Sequence, residues 1–169
     1  DEKYLAAAGR IAETYMKLQG ADGTWFLLQN AETGKEYAPN RLQPQRVIGF
    51  FEDLFRVTGR AKYRETADRA FAFVEKGAMR DWNWEGQFED IRPATARWSN
   101  LTKHAACETA TYLLERFPGD AARLAQAEEL VRFSEDQFVE WTPPYGDRAE
   151  PNGADDGSWK FFCKPYSKW

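Results

Sequence analysis

Residues 44–76 read PQRVIGFFEDLFRVTGRAKYRETADRAFAFVEK, and this stretch decides the fold. Apolar residues recur at intervals of three and four on both sides of Thr58-Gly59-Arg60, which is the spacing that gives an α-helix one buried face. A glycine between two such patterns marks a tight turn. The stretch therefore predicts two helices, over residues 44–58 and 61–76, joined as a hairpin.

The ends of the helices carry their own signals. Proline suits the first turn of a helix, where its missing N–H is no loss, and Pro44 stands at that position. A glycine after the last apolar position predicts a left-handed cap, and Gly77 is the candidate. The same apolar spacing predicts three more helices. They cover residues 3–19, 101–116 and 120–139, the last with Asp120 as its N-cap.

The pattern predicts an all-α chain, because strand-like alternation is limited to a short pair around residues 25–28. About five helices are expected to form an up-and-down array of helical hairpins. Two connections are tight turns, whereas the other three are long, at about residues 20–43, 77–100 and 140–169. Alternate connections lie at the same end of such an array, so the long loops are expected to gather on one face, where long loops are usually functional.

Residues 1–169 are expected to form a single helical domain, because domains usually hold roughly 100–200 residues. Five helices leave the last one without a hairpin partner in the sequence. We therefore expect an uncovered face on that helix. It would be covered if the chain is an incomplete, N-terminal part of a larger ring, or by a partner chain such as a second copy.

Composition excludes several classes of protein. The chain has 23 basic and 27 acidic residues and a formal charge of −4, which does not favour nucleic-acid binding. No apolar run approaches the roughly 18 residues that a membrane span needs. The GxSxG, HExxH and phosphate-loop motifs are absent, as is GxGxxG after a strand. One histidine excludes a multi-histidine metal site, and we expect neither a metal nor a cofactor.

Aromatic residues are unusually frequent at 15%, and all seven tryptophans lie in the long connections. Residues 81–90 read DWNWEGQFED and interleave indoles with carboxylates. Sugars suit such a surface, because their C–H faces stack on indoles and their hydroxyls bond to carboxylates and amides. The expected sugar-binding residues of the loops are Trp25, Trp82, Trp84, Gln87, Asp156 and Trp159. The alternative is that each tryptophan packs beneath its loop as a small satellite core.

Three carboxylates of the same loop are candidate catalytic groups: Glu85, Glu89 and Asp90. Glycoside hydrolysis needs two carboxyl groups about 5–5.5 Å apart for retention or 6.5–9.5 Å apart for inversion. Two residues of this loop, or one of them with Asp155 or Asp156, could supply the pair. The alternative is a solvated acidic loop.

His104 is the only histidine and stands one turn into the fourth predicted helix. It could act as a general base, with Asn100 and Lys103 binding or positioning the substrate. Lys103, with Arg92 or Arg97, could neutralise a uronate carboxylate and ease proton removal in a β-elimination lyase. The alternative is a structural histidine bonded to a backbone carbonyl.

The two cysteines, Cys107 and Cys163, are too few for a disulfide framework. Cys107 lies in an apolar helical stretch and is expected to be a buried structural thiol. The sequence leaves the compartment open, with a secreted or periplasmic location favoured.

The segment Gln19-Gly20-Ala21-Asp22-Gly23-Thr24-Trp25 follows a predicted helix. This Gln-x-x-Asp-Gly-x-Trp pattern resembles the loop signature of α/α-toroid proteins, which include terpenoid cyclases, polysaccharide lyases and six-hairpin glycosidases. The stretches 32–35 and 56–63 resemble the glycosidase and lyase side of that group. Within the pattern, the alternative role of Asp22 is structural: its side chain would cap a turn.

The resemblance and the aromatic loops together imply a carbohydrate-active protein that is part of an α/α toroid. The first hypothesis is a glycoside hydrolase, or part of one, that binds an oligo- or polysaccharide on the aromatic loop face. The alternatives are a polysaccharide lyase that acts on uronate-containing glycans and a non-catalytic carbohydrate-binding or scaffold protein.

Overall fold

The computed structural model describes residues 1–37, 39–84, 103–142 and 160–163. The chain is mostly helical, which confirms the all-α character that the sequence predicts. Its elements, in chain order, are α1 (Glu2–Leu18), α2 (Gln45–Thr58), α3 (Ala61–Lys76), α4 (Ala78–Asp81), α5 (Lys103–Arg116), α6 (Ala121–Phe138), β1 (Val139–Thr142) and β2 (Lys160–Cys163).

The helix ends follow the predicted signals except at Gly77 and at Pro44, which lies just before α2 as its N-cap. Gly59 ends α2 in the left-handed conformation, and the Asp120 carboxylate accepts hydrogen bonds from the backbone N–H groups of Ala122 and Arg123 at the start of α6. The prediction for Gly77 is wrong, because its φ is −103°. The chain instead continues into α4, and Trp82 takes the left-handed conformation with φ 59°.

The hairpin of α2 and α3 lies beside the hairpin of α5 and α6. α2 lies beside α5, where Gln45 donates a hydrogen bond to Thr109 at 3.2 Å. α3 lies beside α6, where Arg123 pairs with Glu75 at 2.6 Å. α1 reaches α3 through the ion pair of Lys62 with Glu13. The helices therefore form two layers, with α2 and α5 in one and α1, α3 and α6 in the other.

The helices of the second layer run in the same direction but are staggered. The end of α1 at Gln19 contacts Thr66 in the first half of α3, and the start of α6 at Arg123 contacts Glu75 near the end of α3. At 1.5 Å per residue, successive helices are displaced by about 10–20 Å. The connections that follow α1 and α3 therefore begin at the same end of the array but at different heights.

The hydrophobic core lies between the layers and uses large aromatic side chains. Its largest buried members are Trp25, Trp84, Tyr63, Phe51, Ile48 and Leu113. Trp25 stacks on Phe51 with ring centroids 6.4 Å apart, and Phe51 contacts Tyr63. Burying side chains of this size stabilises the fold by about 1.5–3 kcal/mol each.

Two apolar faces are exposed to solvent. The sequence predicts an uncovered face on the last helix, and Leu124 and Val131 of α6 are each 49% exposed. The predicted apolar stripe of α1 is mostly exposed as well: Tyr4 and Ile11 lie at the surface, and Ala12 is the buried residue of this helix. The prediction that Cys107 is buried is wrong, because this thiol lies on the exposed side of α5.

A small antiparallel sheet was not predicted. β1 pairs with β2 in the register Val139↔Cys163 to Thr142↔Lys160. Four-residue strands this far apart in sequence are too short for periodicity to reveal. Near residues 25–28, where the sequence predicts a short pair, the structure has two isolated bridges, Phe26↔Arg41 and Gln29↔Glu36, rather than strands.

Candidate functional site

The loop after α1 is held to α3 by the side chain of Gln19. Its amide nitrogen donates hydrogen bonds to the Gly23 carbonyl at 2.7 Å and to the Thr66 carbonyl at 3.0 Å. Its amide oxygen accepts from Nε of Arg69 at 2.9 Å. One glutamine thus joins the end of α1, the loop and α3.

Asp22 and Gly23 set the shape of this loop. Asp22 pairs with Arg41 at 2.9 Å, and its other oxygen accepts a hydrogen bond from the Thr24 N–H, so its predicted turn-capping role is confirmed. Gly23 has φ +96°, and a Cβ there would lie 2.9 Å from the Arg69 carbonyl carbon. Only glycine combines that backbone conformation with that close approach.

Trp25 completes the loop as a core residue. It is 2% exposed, its Nε1 donates to the Tyr15 carbonyl at 2.7 Å, and its ring contacts Tyr15 edge-on. A ring enclosed in this way has no free face for a sugar. The predicted sugar-stacking role of Trp25 therefore does not fit its position, which matches the satellite-core alternative.

The tryptophans after α4 differ from each other. Trp84 is fully buried, so its position also does not fit the prediction that it stacks on a sugar. Trp82 is half-buried and lies against Phe133 of α6, with ring centroids 5.3 Å apart. Of the three tryptophans whose side chains the structure describes, Trp82 alone keeps an accessible surface.

Two of the predicted site residues lie at the start of α5. His104 is exposed in the first turn of α5, and Lys103 is the first residue of that helix. The other candidates lie outside the described residues and stay predictions: Glu85, Gln87, Glu89, Asp90, Asn100, Asp156 and Trp159.

A site that the sequence did not predict lies between the two helices of the first layer. We call it the α2/α5 groove; its volume is about 650 Å³. On α2 it is lined by Gln45, Arg46, Gly49, Glu52, Asp53 and Arg56. On α5 it is lined by Glu108, Thr111, Tyr112, Glu115 and Arg116. Arg64 of α3 and Phe55 of α2 complete the lining.

The deepest part of the groove is an ion network around one carboxylate. Glu52 lies 2.8 Å from Arg64 and 3.8 Å from Arg116, and its side chain is 14% exposed. Arg116 also faces Asp68 at 3.9 Å. Burial raises the pKa of the Glu52 carboxyl above its usual value, because desolvation outweighs the attraction of Arg64 and Arg116.

Tyr112 borders this network. Burial, together with the negative charges of Glu52 and Asp68, raises the pKa of Tyr112 to about 12. Its ring lies on Phe71 of α3, with centroids 4.8 Å apart. The phenol therefore stays protonated at neutral pH and can serve as a hydrogen-bond donor.

Four buried polar atoms at the bottom of the groove have no hydrogen-bond partner within the described part of the chain. They are Oε1 of Glu52, the hydroxyl of Tyr112, and Nε of Arg64 and of Arg116. Buried donors and acceptors are usually paired, and an unpaired one costs about 1–3 kcal/mol. Three donors and one acceptor are therefore enclosed in the network beneath the groove.

Sequence reasoning missed this groove because its polar residues look like a solvated helix face. The signal was present in α2, where Gln45, Gly49, Glu52 and Arg56 recur at intervals of three and four. Gly49 is unusual within that stripe, since glycine is unfavourable inside a helix. A Cβ at Gly49 would have no neighbour within 4 Å, so this position is open space.

The described residues contain neither a candidate metal site nor a candidate membrane-spanning helix. Among the described residues, no group of three or more His, Cys, Asp or Glu side chains is placed to hold a metal ion. Within the same residues, no helix has both the length and the apolar character that crossing a membrane requires.

Comparison with known proteins identifies no similar protein. The chain matches no protein-family model, and no significant match is found among curated proteins or solved structures.

Proposed function

We propose that this chain is a carbohydrate-active protein and that it binds an oligo- or polysaccharide in the α2/α5 groove. The groove itself carries the proposal. Its volume of about 650 Å³ falls within the roughly 300–1,000 Å³ of small-molecule sites. Guanidinium, carboxylate, amide and hydroxyl groups line it, and sugar hydroxyls can both donate to and accept from such a mixture.

The toroid arrangement is part of the same proposal. A ring of hairpins places one helix of each hairpin on the inside and the other on the outside. The separation of α2 and α5 from α1, α3 and α6 is compatible with that order. The loop from Gln19 to Trp25, in which Gln19, Asp22 and Trp25 each make a structural contact, also supports it.

Glycoside hydrolysis is the reaction to test first. Carboxylates line the groove, and Glu52 combines burial with a raised pKa, which is the property of a general acid. Glu85, Glu89 and Asp90 remain candidates for the same chemistry. Elimination on a uronate, with His104 as the base, is the lyase alternative.

Binding without catalysis is the second candidate. The carboxylates of Asp53 and Glu108 are each paired with an arginine, at 2.9 and 3.1 Å. Each of these carboxylates is thus held by a guanidinium of the protein itself. This pairing favours a groove that recognises a sugar without cleaving it.

The test combines binding with turnover. The full chain is incubated with neutral and uronate oligosaccharides while reducing ends and the absorbance of unsaturated uronates are followed, and binding is measured by calorimetry. New reducing ends indicate hydrolysis, new absorbance indicates elimination, and binding alone indicates a recognition module. The absence of all three signals would reject the proposal.

A further inference from the structure

We propose that the α2/α5 groove selects neutral sugars over uronates. This inference rests on the proposed function and narrows it to a class of ligand. It comes from the distribution of charge in the groove, where each arginine already faces a carboxylate of the protein.

The charges that line the groove balance. Four arginines, Arg46, Arg56, Arg64 and Arg116, and four carboxylates, Glu52, Asp53, Glu108 and Glu115, line the groove. A site for an anionic sugar would need a surplus of positive charge, as in a guanidinium free to bind the sugar carboxylate through two hydrogen bonds. The four arginines and four carboxylates of the groove leave no surplus of positive charge.

The individual pairs show where each guanidinium is engaged. Arg46 reaches Glu108 at 3.1 Å, and Arg56 reaches Asp53 at 2.9 Å. At the bottom of the groove, Arg64 and Arg116 share Glu52, and Arg116 also faces Asp68. A uronate that displaced Glu52 from Arg64 and Arg116 would leave a buried carboxylate without its partners, which opposes binding.

Glu115 strengthens the same preference. It lines the groove and forms no ion pair with any other described residue, so its negative charge is open to a ligand. Like charges repel at short range, which disfavours a uronate. The carboxylate still accepts hydrogen bonds from neutral hydroxyl groups.

The experiment measures Kd by calorimetry for cellohexaose, maltohexaose and xylohexaose against hexagalacturonate and a hyaluronan hexasaccharide. We expect at least one neutral oligosaccharide to bind about tenfold more tightly than either uronate. Its Kd should change less than about twofold between 0.05 and 0.5 M salt, because no charged ligand is involved.

Two variants test whether this preference belongs to the groove. Gly49→Leu places a side chain in open space within the groove and should weaken neutral binding by about tenfold or more. Ala125→Leu, on an exposed face of α6, is the control and should leave Kd unchanged. Glu115→Arg should raise uronate affinity relative to neutral affinity by about fivefold or more.

The outcomes separate this inference from the proposed function. Tighter binding of a uronate, or no change of preference in Glu115→Arg, would overturn the inference while carbohydrate binding stands. Neutral binding that Gly49→Leu leaves intact would overturn the assignment to the groove. Failure of every oligosaccharide to bind would reject the proposed function, and this inference with it.

Discussion

Arg64 of α3 holds Glu52 of α2 through a contact of 2.8 Å beneath the α2/α5 groove. The contact joins the two helices of one hairpin at a point where α5 also arrives through Arg116. A buried ion pair adds little net stability, because desolvation offsets the attraction between the charges. The role of this ion pair is to fix the positions of the polar groups at the bottom of the groove.

The first prediction concerns the pH dependence that Glu52 contributes. Its pKa is raised in the folded state, so protonated Glu52 favours folding below the unfolded pKa of about 4.5, and that contribution is lost as pH rises through the folded value. Gln resembles the protonated form. The free energy of unfolding of Glu52→Gln, relative to the unchanged protein, should therefore increase as pH rises from about 4.5.

Urea denaturation between pH 4 and 8 measures this difference. Glu115→Gln, which removes an exposed carboxylate from the same groove, is the matched control. The free energy of unfolding of Glu52→Gln, relative to the unchanged protein, could instead fall with rising pH. The arginines would then stabilise the Glu52 carboxylate, and the account of the network would be incorrect.

The second prediction concerns Gly23. Gly23→Ala should lower the free energy of unfolding by about 1–3 kcal/mol from the positive φ alone, and further because the new Cβ meets the Arg69 carbonyl. Gly119→Ala is the control, since Gly119 has φ +83° and open space around it. Thermal denaturation should show a larger loss for Gly23→Ala. Equal losses would mean that the close approach to α3 does not matter.

The third prediction concerns the two tryptophans with contrasting environments. Trp25→Phe removes the hydrogen bond to Tyr15 from a fully enclosed ring and should cost about 1–3 kcal/mol of stability. Trp82→Phe keeps an aromatic ring against Phe133 at a half-buried position and should cost less than about 1 kcal/mol. Urea denaturation compares them, and the reverse order would contradict the core assignment of Trp25.

The fourth prediction concerns Cys107. Because its thiol is exposed, a maleimide reagent should modify it in the native protein without denaturant. Mass spectrometry of peptides identifies the modified residue, and Cys107→Ser provides the blank. If Cys107 were modified only after unfolding, its thiol would be buried in the native protein, as its apolar neighbours in the sequence predict, and the exposed position would be wrong.

The helices could be predicted from the sequence because each has a local signal. Apolar spacing located all five long helices to within one or two residues, and Asp120 and Gly59 act at the ends as expected. The order of long and short connections also follows from local turn residues such as Gly59 and Gly119. None of these inferences requires knowledge of which helices touch.

The candidate site could not be predicted in the same way, because it depends on contacts between distant residues. Glu52, Arg64 and Arg116 look like surface charges in the sequence and meet only when α2, α3 and α5 assemble. Trp25 illustrates the opposite error. Its indole looks like a ligand platform, but it lies between Tyr15 of α1 and Phe51 of α2.

Hydrogen–deuterium exchange with a bound neutral oligosaccharide tests the central claim, that the ligand occupies the α2/α5 groove, most directly. We expect slower exchange in peptides covering residues 45–56 and 108–116, with little change in peptides around Trp25, and we expect Gly49→Leu to abolish the protection. Protection confined to the long connections, with the two groove helices unaffected, would contradict the account.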